Sequence, residues 1–286
     1  MKYYANVQDF RDLFRLMRDE LYNTPAIARG EWQSIHDPNV PKVREMLHVA
    51  FEYQMPRRAD DAAFLTGARM PWAEDHFQER VSGLPLNPAP SEAWWPFASK
   101  KEGDTNRDHK SEGEKFSHTY PERMWPKHAE MPPPEVGSGF LPTQHGIRFD
   151  YGDLQDVVNQ LAATPMTRQA YLPIWFPEDT GVVHGKRVPC TLGYHFIITP
   201  SGYLDISYFM RSTDLLRHFQ DDVYMAMRLA QWVVERIQQV WDGRDSGSPI
   251  AELKVGKLIF HTANMHIFEG DNALIDFWKT QDRLWY

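Results

Sequence analysis

The apolar residues of the chain recur at helical spacing in several segments. Residues 7–22 carry apolar side chains at steps of three and four between charges, which predicts an amphipathic helix. Residues 40–54 show a similar spacing and predict a second helix. Residues 153–164 and 215–240 predict two more helices, and residues 274–278 predict a last short one.

Strand patterns are concentrated in the second half of the chain. Residues 170–176 form a strand-like run, and residues 196–199 and 203–210 predict a β-hairpin closed by a short Pro-Ser-Gly turn. Residues 257–262 and 266–268 predict two further short strands. This mixture predicts a fold of the α/β class (α+β type), in which helices pack on a largely buried mixed sheet.

A long polar stretch interrupts these elements. Residues 99–118 hold charged and polar side chains with almost nothing apolar, and proline and glycine continue the irregular pattern to about residue 146. A loop of this length inside a compact domain is typical of an insertion or a lid. We therefore expect residues 1–286 to form one catalytic domain with a polar insertion at residues 99–146.

The composition narrows the classes of function. Ten Trp, twelve Tyr and sixteen Phe favour a folded protein over a disordered one. A net charge of −8 argues against direct nucleic-acid binding, although a few arginines in one cleft would still bind a small anion. The sequence contains no apolar run long enough to cross a membrane and no apolar signal core at its start. We expect a cytoplasmic protein, in the host cytoplasm if a phage encodes it.

The chain contains a single cysteine, Cys190, just ahead of the predicted hairpin. One cysteine makes neither an intrachain disulfide nor a thiolate metal cage, so no metal site is expected. Two interpretations remain open at this point, a small buried apolar side chain and a catalytic nucleophile.

Four residues downstream of Cys190 have the chemistry of a nucleotide site. Arg211 and Asp214 follow the hairpin, Asp222 lies in the next predicted helix, and His266 lies on a later strand. Each also has an ordinary structural interpretation: a surface ion pair, a helix cap, a solvated helix residue and a hydrogen-bonded core histidine. Together with Cys190 they supply a nucleophile, a forked cation for phosphate, and acids able to bind a base edge.

These residues and their spacing resemble thymidylate synthase and the related pyrimidine nucleotide C5 hydroxymethylases. The family carries a Pro-Cys nucleophile, an Arg-Ser-x-Asp motif about twenty residues later, an amide or acid eleven residues beyond that arginine, and a His-Ile strand. The resemblance extends from about residue 117 to residue 278 and is weak before that. It implies a thymidylate synthase-like fold and a homodimer formed across the sheet.

The resemblance also implies the site. The residues expected to be catalytic are Cys190, Asp222, Glu79 and Tyr120. Those expected to bind the pyrimidine nucleoside monophosphate are Arg211, Ser212, Arg168, His266, His195, Asp222 and Arg29, with Arg168 serving the other subunit's site. Those expected to contact the folate are Asp214, Trp95 and Trp94. The expected co-substrate is 5,10-methylene-tetrahydrofolate.

The type of side chain at Asp222 bears on the choice of base. An amide at this position suits uracil, because it both donates to O4 and accepts from N3–H. A carboxylate instead accepts from the N4 amino group of cytosine, and the wrong base would leave buried polar groups unpaired at about 1–3 kcal/mol each. The sequence therefore predicts dCMP as the nucleotide and 5-hydroxymethyl-dCMP as the product, as in the hydroxymethylase branch of the family.

Departures from the family pattern leave more than one function open. Phe268 stands where the family has a sugar-binding tyrosine, so CMP is an alternative to dCMP. Gln169 replaces the second arginine of an Arg-Arg pair. A reductive C5 methyltransferase acting on dCMP or dUMP, and a nucleotide-binding homologue without catalysis, also fit the pattern.

Overall fold

The structure is a computed structural model that describes residues 2–4, 7–28, 42–95, 116, 118–129, 152–180, 188–243 and 249–281. Its helices are α1 (Phe10–Asn23), α2 (Ala59–Thr66), α3 (Trp72–Arg80), α4 (Tyr120–Met124), α5 (Leu154–Ala163), α6 (Phe219–Asp242) and α7 (Asn272–Thr280). Its strands are β1 (Lys2–Tyr4), β2 (Ile27–Ala28), β3 (Lys42–Gln54), β4 (Tyr171–Pro173), β5 (Thr191–Ile198), β6 (Tyr203–Met210), β7 (Thr213–Asp214) and β8 (Lys254–Phe268).

The strands of the described ranges form one mixed sheet in the order β1-β3-β8-β6-β5-β4, with β2 beside β3 and β7 beside β8. β3 and β8 are antiparallel, β8 and β6 are parallel, and β6 and β5 form the antiparallel hairpin. This confirms the predicted α/β class and the mixed sheet. In the part of the chain that the structure describes, no helix has the length and apolar character needed to span a membrane.

The two faces of the sheet differ in burial. On one face the side chains of alternate residues are fully buried, for example Phe196, Ile206 and Phe260, and α1, α5 and α6 pack near them. The intervening residues of the same strands, such as Ile197 and Phe209, are half-buried on the other face. Alternation of this kind is expected where helices cover one side of a sheet.

An aromatic cluster fixes the start of α6 against the sheet. Phe219 stacks on Phe10 of α1 with ring centroids 5.7 Å apart and meets Phe260 of β8 edge-on at 5.4 Å. Phe51 of β3 in turn stacks on Phe260 at 4.9 Å. Aromatic contacts of this geometry add to the area that the rings bury. They hold the first turn of α6, and with it the acidic residues that follow Phe219.

The prediction of a helix at residues 40–54 was wrong, because β3 occupies this segment and pairs with β8 along its length. The ladder omits His48, whose φ of 54° interrupts the extended backbone. Val43, Met46 and Val49 are buried at steps of three, and the interruption at His48 falls between the last two. Steps of three also occur on one face of a helix, which is why the pattern was misread.

The other predicted elements are present with shifted ends. The helices predicted at residues 7–22, 153–164, 215–240 and 274–278 correspond to α1, α5, α6 and α7, and the hairpin corresponds to β5 and β6. The two short strands predicted between residues 257 and 268 are one continuous strand, β8. Most of the predicted polar insertion, residues 99–146, lies outside the described residues.

Candidate active site

The β5–β6 hairpin brings Cys190 and Arg211 together. Cys190 directly precedes β5 and Arg211 directly follows β6, and the backbone N–H of Arg211 donates to the carbonyl of Cys190 at 2.8 Å. The Arg211 guanidinium donates to the carbonyls of Pro189 at 2.8 Å and Val188 at 3.1 Å, and its Nη2 lies 3.7 Å from Cys190 Sγ. Because a fixed guanidinium beside a sulfur favours the thiolate, this arrangement suits a nucleophile.

His266 lies at the end of a short polar chain near Arg211. Its Nδ1 is 3.4 Å from Ser212 Oγ and 3.0 Å from Asn264 Oδ1, and Asn264 Nδ2 donates to Glu45 Oε2 at 2.6 Å. Burial lowers the pKa of His266, and the positive charges nearby act in the same direction, against the carboxylate of Asp214. His266 is therefore neutral at pH 7 and suits hydrogen bonding rather than ion pairing.

Asp214 is held by its own turn. Its Oδ1 accepts from the backbone N–H groups of Leu216 at 3.0 Å and Arg217 at 3.1 Å, and its Oδ2 accepts from Arg217 Nη1 at 2.9 Å. Arg217 also pairs with Asp271 at 2.6 Å. Burial raises the pKa of Asp214, but its interactions with His266 and Arg217 outweigh burial and lower the pKa. The carboxylate is thus ionised and already bonded, which leaves it limited capacity for the expected folate contact.

Adjacent acids at the start of α6 have different environments. Asp221 is buried and binds Arg69 through both oxygens, at 2.8 Å to the backbone N–H and 2.6 Å to Nη1. The carboxylate of Asp222 makes no hydrogen bond to any described residue. Burial raises the pKa of Asp222 to about 7, with Asp221 adding to the rise and Arg80 and Arg69 opposing it. Asp222 is therefore the acid whose oxygens remain available to a bound molecule.

Buried hydroxyl groups surround the same space. Thr191 Oγ1 donates to the hydroxyl of Tyr120 at 3.1 Å and lies 2.9 Å from that of Tyr208, which stacks on Tyr194 with ring centroids 4.7 Å apart. A β-bulge between Thr191 and Gly193 shifts the alternation of β5, so that both Thr191 and Tyr194 reach Tyr208. A hydroxyl network of this kind can hold a bound molecule or a water in a fixed position.

Tyr120 connects this network to the cysteine and the acid. The capping box of α4 fixes its position, because Thr119 Oγ1 accepts from the backbone N–H of Glu122 at 3.3 Å and Glu122 accepts in return from the N–H of Thr119 at 3.2 Å. Burial raises the pKa of Tyr120 far above its ordinary value, and the charges of Cys190 and Asp222 raise it further. Tyr120 is therefore near both Cys190 and Asp222, and it stays protonated.

The candidate base Glu79 is bonded elsewhere. Its carboxylate accepts from the N–H of Ser91 at 2.7 Å and the hydroxyl of Ser91 at 2.5 Å, and it lies 3.5 Å from His76 Nδ1. Burial raises the pKa of Glu79, but the hydrogen bonds from His76 and Ser91 outweigh it and lower the pKa. The next residue, Arg80, instead lies over the ring of Tyr120 with its guanidinium carbon 3.9 Å from the ring centroid.

The candidate folate residues Trp94 and Trp95 differ in their surroundings. Trp95 stacks on His218, just before α6, with centroids 5.0 Å apart, and meets Trp72 at 6.4 Å. Trp94 ends a short 3₁₀ turn and is 45% exposed. Trp95 therefore belongs to a row of aromatic rings that a planar heterocycle could extend by stacking.

The remaining candidates lie apart from Cys190. His195 is half-buried on the sheet face opposite Tyr194, and its Nε2 is 3.0 Å from the carbonyl oxygen of Arg168, whose side chain is exposed. The structure therefore does not bring His195 or Arg168 to the space that Cys190 and Asp222 share within one chain. Arg29 lies outside the described residues.

Arg80 is the site residue that sequence reasoning missed. Its sequence context gives no signal, because an arginine next to a glutamate on a helix usually belongs to a solvated face. In the described ranges, no group of His, Cys, Asp and Glu side chains is arranged to hold a metal ion. No family model matches the chain, and no curated protein matches it closely enough to count as a relative.

Proposed function

We propose that this protein transfers a one-carbon unit from 5,10-methylene-tetrahydrofolate to C5 of a cytosine nucleotide, with dCMP as substrate and 5-hydroxymethyl-dCMP as product. The observation that carries the proposal is the sulfur of Cys190, 3.7 Å from Arg211 Nη2 and close enough to Tyr120 for its charge, like that of Asp222, to raise the pKa of Tyr120. The proposed reaction needs a nucleophile, a cation that binds the phosphate and a hydrogen-bond acceptor that binds the base.

Each residue of the site has its own role in the proposed reaction. Arg211 stabilises the Cys190 thiolate and, with Ser212, holds the phosphate. The thiolate adds to C6 of the base, which makes C5 nucleophilic. C5 takes the one-carbon unit and loses its proton, and with tetrahydrofolate as the leaving group the transferred carbon becomes an exocyclic methylene. Water then adds to the new carbon as the thiolate leaves C6, which restores the C5–C6 double bond. Tyr120 and Asp222 are near enough to orient this water and the base.

Turnover assays test the function directly. The protein is incubated with methylene-tetrahydrofolate and each of dCMP, CMP and dUMP, and the products are weighed by mass spectrometry. Hydroxymethylation adds one carbon, two hydrogens and one oxygen to the nucleotide, whereas methylation lacks the oxygen. We expect the hydroxymethyl product from dCMP. Absence of turnover with every nucleotide would refute the proposal that the protein is an enzyme of this kind.

Selectivity between dCMP and dUMP should rise with pH. With its pKa near 7 in the ligand-free protein, Asp222 is mostly protonated at pH 6 and mostly ionised at pH 8. A protonated carboxyl has a donor for O4 of uracil, whereas the carboxylate has none, so ionisation should weaken dUMP binding by up to about tenfold over this range. The ratio of the two dissociation constants measures the effect, because titration of the phosphate is common to both nucleotides. A ratio that is flat or falls with pH would contradict it.

We further propose a homodimer across the exposed face of the sheet. This face carries the half-buried apolar residues Ile197, Phe209 and Ile259, and the exposed Arg168 lies beside it, away from Cys190 of its own chain. An apolar face of this kind suits self-association.

Mixing two inactive variants tests this arrangement. Arg168→Ala and Cys190→Ser should each be inactive alone, yet an equimolar mixture allowed to exchange subunits should regain about a quarter of wild-type activity, because half of the dimers then contain one intact site. Activity that stays at the level of the separate variants would refute a shared site, and sedimentation at the monomer mass would refute the dimer.

A further inference from the structure

Arg80 is a buried cation with no polar partner for its side chain. It is 3% exposed, and its guanidinium makes neither a hydrogen bond nor an ion pair with any described residue. The contact it does make is with the ring of Tyr120, at 3.9 Å. Arg80 is the last residue of α3, and its backbone carbonyl accepts a hydrogen bond from Trp125 Nε1 at 2.9 Å.

Other buried arginines of this protein are paired. Arg123 is also 3% exposed and also lies over an aromatic ring, that of Phe176 at 4.6 Å, but it binds both oxygens of Asp179 at 2.8 and 2.9 Å. Arg228 binds both oxygens of Glu74 in the same manner. Because a desolvated guanidinium without an acceptor is costly, Arg80 calls for a partner that the described residues do not supply.

The space that Arg80 faces is the one that Asp222 faces. The guanidinium lies over the ring of Tyr120, and its charge lowers the pKa of Asp222, Tyr120 and Tyr194, so these groups are near one another. Arg80 and Asp222 are nevertheless too far apart for an ion pair, and neither side chain bonds to another described residue. The Arg80 guanidinium can only donate hydrogen bonds, the ionised carboxylate of Asp222 can only accept them, and the two are not paired with each other.

A molecule that satisfies both groups must present an acceptor next to a donor. The edge of cytosine does so, with the N3 acceptor beside the N4 amino donor. We propose that Arg80 reads the base together with Asp222: its guanidinium donates to the acceptor atom of the base edge, beside the amino group that Asp222 accepts. The inference rests on the function proposed above and adds a recognition residue to it.

This pairing has a consequence for the charge of the complex. The guanidinium and the carboxylate sum to zero, so a neutral base can be enclosed between them without a net buried charge. Because Arg80 donates to N3, the cytosine does not have to be protonated at N3.

The effect of Arg80 on the ligand-free protein separates recognition from a structural role. Arg80→Met removes an unpaired buried charge but keeps an apolar stem over Tyr120. The melting temperature should therefore stay constant or rise by about 2–4 °C. Arg123→Met is the matched control, and its melting temperature should fall because Asp179 is left buried without a partner.

Binding measurements complete the test. The dissociation constants of dCMP and of deoxyribose 5-phosphate, which lacks the base, are measured by calorimetry without folate. Arg80→Met should weaken dCMP binding by about 10- to 100-fold and leave deoxyribose 5-phosphate unchanged, because the phosphate is held by Arg211. Arg80→Lys, which keeps the charge but not the fork, should retain part of the dCMP affinity.

Three results would overturn the inference: a fall in melting temperature for Arg80→Met like that of Arg123→Met, dCMP affinity within threefold of wild type in either Arg80 variant, or an equal loss for both ligands. Wild-type protein that binds dCMP no better than deoxyribose 5-phosphate would overturn it as well. Expected binding results together with no product in the turnover assay would refute the proposed reaction and leave base recognition by Arg80 intact.

Discussion

A Cys190→Ser protein should convert no dCMP, with turnover reduced by about a thousandfold or more, while it still binds the nucleotide. A serine hydroxyl beside Arg211 does not ionise at neutral pH, so no nucleophile remains to add to C6. The phosphate and base contacts come from other side chains and are unaffected. Product formation by mass spectrometry and dCMP binding by calorimetry measure the two parts of this expectation.

Two further measurements make the Cys190 result specific. With 5-fluoro-dCMP and methylene-tetrahydrofolate, the wild-type protein should gain the mass of both molecules, because fluorine cannot leave C5 as the proton does; Cys190→Ser should gain nothing. Ser201→Ala, at the exposed β5–β6 turn, is the control and should keep full activity. Turnover by Cys190→Ser within tenfold of wild type would exclude Cys190 as the nucleophile.

Asp222→Asn should move the preference from dCMP toward dUMP by about 10- to 100-fold. The carboxylate of Asp222 is not bonded to any described residue, so the amide is free to turn its N–H₂ toward O4 of uracil, a donor that the carboxylate lacks. Competition between the two nucleotides, read as the ratio of kcat/KM values, measures the shift.

The neighbouring acid provides the control for this change. Asp221→Asn is the same chemical change at the preceding position of α6. It weakens the ion pair between Asp221 Oδ2 and Arg69 Nη1, which are 2.6 Å apart. It should lower the free energy of unfolding by about 1–3 kcal/mol and leave the base preference where it is. A shift toward dUMP in Asp221→Asn, or an unchanged preference in Asp222→Asn, would refute the assignment of base recognition to Asp222.

The part of the site that the sequence predicted well is local. Cys190 and Arg211 were expected to be close, and the hairpin of β5 and β6 brings them into contact because a short turn and regular alternation determine the pairing of neighbouring strands. α1, α5 and α6 were predicted because the helical spacing of their apolar residues continues along the whole of each helix. β3 was wrongly predicted to be a helix, because the alternation of its side chains is irregular and is interrupted at His48.

The roles of adjacent residues were decided by the tertiary structure. The sequence predicted Glu79 as a catalytic residue; in the structure its carboxylate binds Ser91, and it is Arg80 that lies over the ring of Tyr120. Similarly, Asp221 binds Arg69 and leaves Asp222 to the site.

Neighbours on a helix point about 100° apart, so a rotation of less than one residue changes which of them faces a cleft. The sequence by itself determined the elements, the hairpin and the kinds of side chain near the cysteine. Only the tertiary structure decided which of those side chains face Cys190, because the packing of α3 and α6 against the sheet fixes the rotation of each helix.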